Sequence, residues 1–293
     1  VVRAANERTE RACIETLRSG LPCESQCVVI HERPFSNAVR RAFEIGIESA
    51  RPWLIAVDAD LLLLDDVVCR IREVCGKMAP EAFCATPLFL CNTLGGLATR
   101  GLHCYRASLL DEALRATPNA KEPLRPESAI QDAMRQRGYT RECYAKVFGL
   151  HEYEQSYRHL YIKSMLRARK EGDPFMLMKR LRDAQEESND ATVALWGFED
   201  ALAGENLPDE YDWDALYPLF EGRMRDHGLQ EKPALDCPSV DKLVRDHLHS
   251  HDYRADMMTL PWIREILDFA HGASGALEYI ERPPLSDRYR ARV

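Results

Sequence analysis

The chain has 293 residues, a formal net charge of −8 and 45% hydrophobic side chains. This balance excludes wholesale disorder and predicts a packed core, in one large domain or two ordinary ones. A net negative chain lacks the broad attraction that draws basic proteins to nucleic acid, so no nucleic-acid partner is expected.

Residues 1–152 carry 20 basic and 20 acidic side chains. The totals of 39 and 47 therefore leave 19 and 27 for residues 153–293. Nine of the ten cysteines precede residue 152. Two differently composed parts predict two domains, 1–152 and 153–293. No C-x-x-C pair occurs, so a zinc ribbon or thioredoxin-like site is not expected. The thiols inside apolar runs, such as Cys84 and Cys91, read as buried and free in a reducing compartment. No secretory leader is visible, and no apolar run approaches the ~18 residues of a membrane span. The expectation is a cytoplasmic protein without a transmembrane segment, free or peripheral to a membrane.

The first part alternates strand and helix signals. Val1 to Ala4 reads as a strand, followed by the polar turn Ala5 to Arg8. Thr9 to Ser19 is an amphipathic helix with Thr9 as its cap, ended by Gly20. Cys27 to His31 is a strand. Ser36 to Ala50 is a helix capped by Ser36 and broken before Pro52. Trp53 to Val57 is a short apolar run, the pattern of a strand buried on both faces. Leu61 to Leu64 follows, then a helix opened by Asp65 and Asp66 and running through Cys75. Phe83 to Leu90, Gly101 to Arg106 and Tyr144 to Phe148 are further strands, with a helix from Glu127 to Arg137. Repeated alternation predicts an α/β domain with a mostly parallel sheet flanked by helices. Beyond Glu152 the periodicity is helical: Phe175 to Leu181, Ala191 to Leu202, Trp213 to Arg225, Val240 to His249 and Trp262 to Ala270. The second domain is expected to be mostly α-helical, serving acceptor binding, oligomerisation as a homo-oligomer, or structure.

Trp-Leu-Ile-Ala-Val-Asp-Ala-Asp (53–60) is the sharpest feature. Ligands of open α/β sheets bind at the carboxyl ends of the strands. Two carboxylates one residue apart at such an exit suit a hard divalent cation bridging a diphosphate. A D-x-D triplet also occurs by chance in turns and caps; the buried strand before it favours the functional reading.

With these residues in hand, the stretch Val-Val-Arg-Ala-Ala-Asn-Glu-Arg, then helix, strand and Ile-Ala-Val-Asp-Ala-Asp, resembles the nucleotide-sugar half of GT-A fold glycosyltransferases. The family 2 group is the nearest likeness, over residues 1–152. Three things follow from the resemblance. It implies a Rossmann-like sheet binding a UDP- or GDP-sugar with Mn2+ or Mg2+, the metal held by Asp58, Asp60 and His151. It implies donor contacts from Arg3, Ala4, Asn6, Glu7, His31, Glu32, Asp58 and Ala59. It also implies a general base at Glu127, which stands eleven positions before Gly138-Tyr139, with Asp132 as the alternative. The family more often has Asp preceded by Glu there, where this chain has Pro126-Glu127. The acceptor would be the hydroxyl of a glycan, a lipid-linked glycan or a small molecule, and transfer would be inverting. His103 and Arg106 are pocket candidates.

Competing readings are a sugar nucleotidyltransferase, which the non-glycine first loop disfavours, and a non-catalytic helical scaffold with a degenerate donor domain. His247, His249 and His251 read as structural or adventitious.

Overall fold

The computed structural model describes residues 1–22, 25–92, 95–118, 125–170, 175–204, 213–236 and 239–251. The expected helix from Trp262 to Ala270 lies outside them.

The chain forms two compact units. The first opens with β1 (Val2–Arg3), α1 (Glu10–Gly20), β2 (Val29–Ile30), α2 (Phe35–Glu48), β3 (Trp53–Asp58) and β4 (Leu61–Leu63). It continues with α3 (Val67–Lys77), β5 (Ala82–Cys91), β6 (Gly96–Ala98), β7 (Leu102–Arg106), α4 (Leu110–Ala116), α5 (Pro126–Gln136) and β8 (Thr140–His151). The sheet runs β2-β1-β3-β7-β5-β8-β4, with β6 on β5. The expectation of a mostly parallel sheet is corrected here. β1 pairs in parallel with β2 and β3, and β5 with β8, but β7 is antiparallel to both neighbours, and β4 and β6 are antiparallel too. Periodicity reports which faces of a strand are buried and carries no strand direction, so this error is intrinsic to the sequence signal.

Alternation along the strands divides the core between two faces. Val57, Ala85, Cys104 and Phe148 join a cluster with Cys13 and Leu17 of α1 and Val67, Ile71 and Val74 of α3. Leu54, Ala56, Cys84 and Tyr105 join a cluster with Val39 and Phe43 of α2, Leu110 of α4, and Ile130 and Met134 of α5. Helices thus cover both faces of a mixed sheet.

Several predicted starts are made differently. Thr9 occupies the cap position of α1 without a side-chain capping bond. Its hydroxyl donates instead to the Ala59 carbonyl at 2.8 Å. Pro34, not Ser36, precedes α2, and Ser36 is buried inside the helix. α4 and β6 add to the expected elements.

The second unit spans Glu154–Leu235 in the described chain and holds α6 (Tyr157–Lys170), α7 (Phe175–Ala184), α8 (Asn189–Ala203) and α9 (Trp213–Asp226). Its core joins Tyr161, Ile162 and Met165 to Val193, Trp196 and Phe220. Ser188 caps α8 by accepting from the Ala191 N–H. Arg167, part of a basic run that reads as a positive strip or a solvated face, is buried. Helix α10 (Val240–Ser250), expected in the second domain, belongs to the first unit. Val244 and Leu248 are buried, and Asp241 accepts from the Asp65 N–H at 3.1 Å. His247 and His249 turn back onto their own helix carbonyls, at Leu243 and Arg245. No helix among the described residues is long and apolar enough to cross a membrane.

Candidate functional site

Strand direction gathers the candidates at one edge. β1, β2 and β3 run parallel, so Arg3 and Ala4, His31 and Glu32, and Asp58 to Asp60 all lie at or just past carboxyl ends of neighbouring strands. β7 reverses once from β3 and β5 reverses back, so β5 and β8 point the same way as β3. Their ends, Cys91 and His151, reach the same edge.

The exit of β3 is tied down from three sides. The Asp58 N–H donates to the Gly101 carbonyl at 2.6 Å, the Ala59 N–H to the Arg3 carbonyl at 3.0 Å, and Thr9 to the Ala59 carbonyl. Ala4 and Ala59 are buried, and Asn6 is exposed at a left-handed φ of 63°. The Ala5 N–H donates to a Glu7 carboxylate oxygen at 2.6 Å, closing that turn on itself. His31 is half-exposed and meets Glu10 at 2.9 Å, and Glu32 is exposed.

Two side-chain clusters occupy the edge. In the first, register places Arg3 directly beside Asp58. Arg3 is buried, and its guanidinium bonds Asp58 Oδ1 at 2.8 Å and Glu127 Oε1 at 2.6 Å while lying 4.8 Å from the Phe35 ring centre. Glu127, in the first turn of α5, also accepts from the Tyr105 hydroxyl at 3.1 Å and faces His103 Nε2 at 3.2 Å. Burial alone would raise the Glu127 carboxyl, but Arg3 and then His103 outweigh it and hold it well below the usual range. Burial pushes Asp58 up to about 7, with Arg3 opposing. One guanidinium serves two acids, and Glu127 keeps the charge more firmly.

In the second cluster, Asp60 Oδ2 lies 3.3 Å from His151 Nε2, both side chains being buried. β8 brings His151 between Cys91 of β5 and Leu61 of β4, which follows Asp60 directly. On the other ring nitrogen, His151 Nδ1 is 3.3 Å from Cys91 Sγ and 4.0 Å from Glu152 Oε2. Burial disfavours the imidazolium, yet Asp60 and Glu152 overcome it and raise the His151 pKa well above the ordinary value. Cys91, His151 and Glu152 each offer one ligand atom, and these atoms lie within 4.8 Å of one another, a group that could hold a metal ion.

The fold thus brings Asp58, Asp60, His151, Arg3 and Glu127 to one sheet edge. Asp132 stands apart on the exposed side of α5, paired with Arg135 at 3.0 Å. Arg106 is not at this edge. It donates to the carbonyls of Ala82 and Ala79 and stacks on Trp53, which is a packing role. Cys91, Glu152 and Tyr105 were missed as site residues. Only the alignment of Cys91 with His151 across β5 and β8 could have flagged the first two, and that alignment is a tertiary fact.

No family model, curated protein or solved structure matches the chain.

Proposed function

We propose that the first unit is a metal-dependent, GT-A type glycosyltransferase that moves a sugar from a nucleoside diphosphate sugar to an acceptor hydroxyl. The observation that carries the reading is the meeting of Asp60 and His151. They are 91 positions apart, assigned to one metal from sequence, and 3.3 Å apart at the carboxyl edge of the sheet. Such a separation suits two ligands of one cation as well as a hydrogen bond.

In this reading Asp58, Asp60 and His151 hold Mn2+ or Mg2+. The bound cation supplies charge neutralisation for the departing diphosphate. The turn Ala4 to Glu7, with His31 and Glu32, offers backbone and side-chain groups to the nucleoside of a UDP- or GDP-sugar. Arg3 favours the charged forms of Asp58 and Glu127. Glu127 accepts the proton of the attacking hydroxyl on an inverting course. Its weak basicity is compatible with that role, because the hydroxyl becomes strongly acidic as its bond to the anomeric carbon forms. The acceptor is the hydroxyl of a glycan, a lipid-linked glycan or a small molecule.

The test is release of nucleoside diphosphate from a panel of UDP- and GDP-sugars with manganese and mixed acceptors. Asp60→Ala is expected to abolish metal-dependent turnover. Glu127→Gln should lower kcat by about 10²–10⁴-fold, the usual range for a general base. Full activity in both folded variants would refute the assignment.

A further inference from the structure

We propose that Cys91, His151 and Glu152 form a thiolate-containing zinc site at the sheet edge. The site lies on the Nδ1 side of the imidazole whose Nε2 faces Asp60, and it goes beyond the transferase reading and stands without it.

Three potential ligand atoms form a closed triangle. Cys91 Sγ is 3.3 Å from His151 Nδ1 and 3.6 Å from Glu152 Oε2, and Nδ1 is 4.0 Å from Oε2. Tetrahedral zinc, with bonds of about 2.0–2.3 Å, has ligand-to-ligand edges of about 3.3–3.6 Å. Two edges match as they stand, and the third closes with a small rotation of the Glu152 side chain. All three residues are buried, at 5% exposure or less. A thiolate with an imidazole and a carboxylate favours zinc over magnesium, because sulfur is a soft ligand and magnesium takes hard oxygens.

Two further observations support a built site. The Asp60 carboxylate stands on Nε2, opposite the proposed ligand atom. A carboxylate there fixes the proton on Nε2, points the Nδ1 lone pair at the metal and raises its basicity. Glu152 itself is held at a left-handed φ of 61°, uncommon for a residue with a side chain, and its carboxylate folds back beside Cys91.

On binding, the Cys91 thiol proton and the His151 Nδ1 proton go to solvent, and the sulfur, Nδ1 and Glu152 oxygen lone pairs enter the zinc shell. The two negative ligands balance the cation, and the fourth position is left for water. A neutral imidazole has one lone pair, so zinc on Nδ1 leaves a proton on Nε2 directed at Asp60. Zinc occupancy therefore withdraws His151 from the hard-cation shell and leaves that shell to Asp58 and Asp60.

The test uses the full chain stripped by a chelator, titrated with cobalt(II) and then with zinc against a chromogenic chelator. The expected result is a thiolate-to-cobalt charge-transfer band in the near ultraviolet that saturates at one ion per chain. Cys91→Ser should lose the band and bind zinc more weakly. Asp60→Asn should keep the band and weaken zinc by about 10–100-fold, the effect of losing an outer partner of a ligating histidine. Circular dichroism checks that each variant is folded, and Glu152→Gln serves as the second ligand variant should Cys91→Ser fail to fold. A wild-type chain that gives no charge-transfer band, or a folded ligand variant that binds zinc as tightly as wild type, overturns the proposal. Failure of the transferase reading would show separately, as absence of manganese-dependent nucleotide turnover with the cobalt spectrum intact.

Discussion

Arg3 is the residue on which the candidate edge depends most. Its guanidinium lies between two buried acids, bonded to Asp58 and Glu127. Removing one partner of a buried ion pair strands the other charge, which typically costs about 3–5 kcal/mol. Arg3→Met is expected to lose stability on that scale at neutral pH, measured as a urea unfolding midpoint. The pH dependence follows from the sign of each shift. In the wild type Glu127 is held below its ordinary range, so its contribution is complete above the unfolded carboxyl pKa, about 4.3, and is lost as pH falls through the lower folded value. Wild-type Asp58, pushed up to about 7 by burial, already gives some gain on acidification; in Arg3→Met both stranded acids have raised pKa values, so the variant gains more. The gap between the two should narrow from pH 7 to pH 5. A constant gap would mean that packing against Phe35, not charge, is what Arg3 provides.

Among the elements, β8 and α8 are the most tightly constrained by a neighbouring backbone. A Cβ at Gly149 in β8 would run into the Leu62 carbonyl oxygen of β4, and one at Gly197 in α8 into the Tyr161 carbonyl oxygen of α6. Overpacking of this kind costs about 1–3 kcal/mol, and more where the obstacle is backbone that cannot swing aside. Gly197→Ala should therefore lower the stability of the helical unit and part α6 from α8. Gly149→Ala should shift the end of β8 that carries His151, weakening metal binding as well as stability. Gly76 and Gly138 have open space where a Cβ would go, and Gly76→Ala, inside α3, is the control expected to lose neither stability nor metal binding. Thermal melts with metal titration of the three variants check this. Equal losses in all three would remove the packing argument.

For the whole molecule, ligand linkage is the cleanest measure. A nucleoside diphosphate with manganese at about 100 times its dissociation constant stabilises the folded state by about 2.7 kcal/mol. For a unit of about 150 residues that is a rise in Tm on the order of 5–10 °C. The expected pattern is a shift for one base, dependent on manganese and absent in Asp60→Ala. An equal shift without metal would separate nucleotide binding from the acidic pair. The charge distribution agrees with such a ligand: residues 1–152 are formally neutral, and the −8 falls entirely in residues 153–293.

What the sequence determined by itself is the local structure and the chemistry of its strongest signals. The run Trp53 to Val57 specified a buried strand because a strand covered on both faces must be apolar throughout. The same run placed Asp58 and Asp60 at its exit, and the helical periodicities of α1, α2, α3 and α8 were legible for the same reason. Strand direction was not legible, so the mixed sheet had to come from the fold. Nor was the pairing of Arg3 with Asp58 and Glu127, or the capture of Thr9 by Ala59 in place of a helix cap. Cys91 read as an ordinary core thiol because, along the chain, it is the end of an apolar run. It becomes a candidate ligand only because β5 and β8 lie parallel and in register, bringing residues 60 positions apart within hydrogen-bonding range. Side-chain pattern is a local property set by burial, whereas a site is set by which strands become neighbours. That choice is made by packing the whole sheet, and no window of sequence contains it.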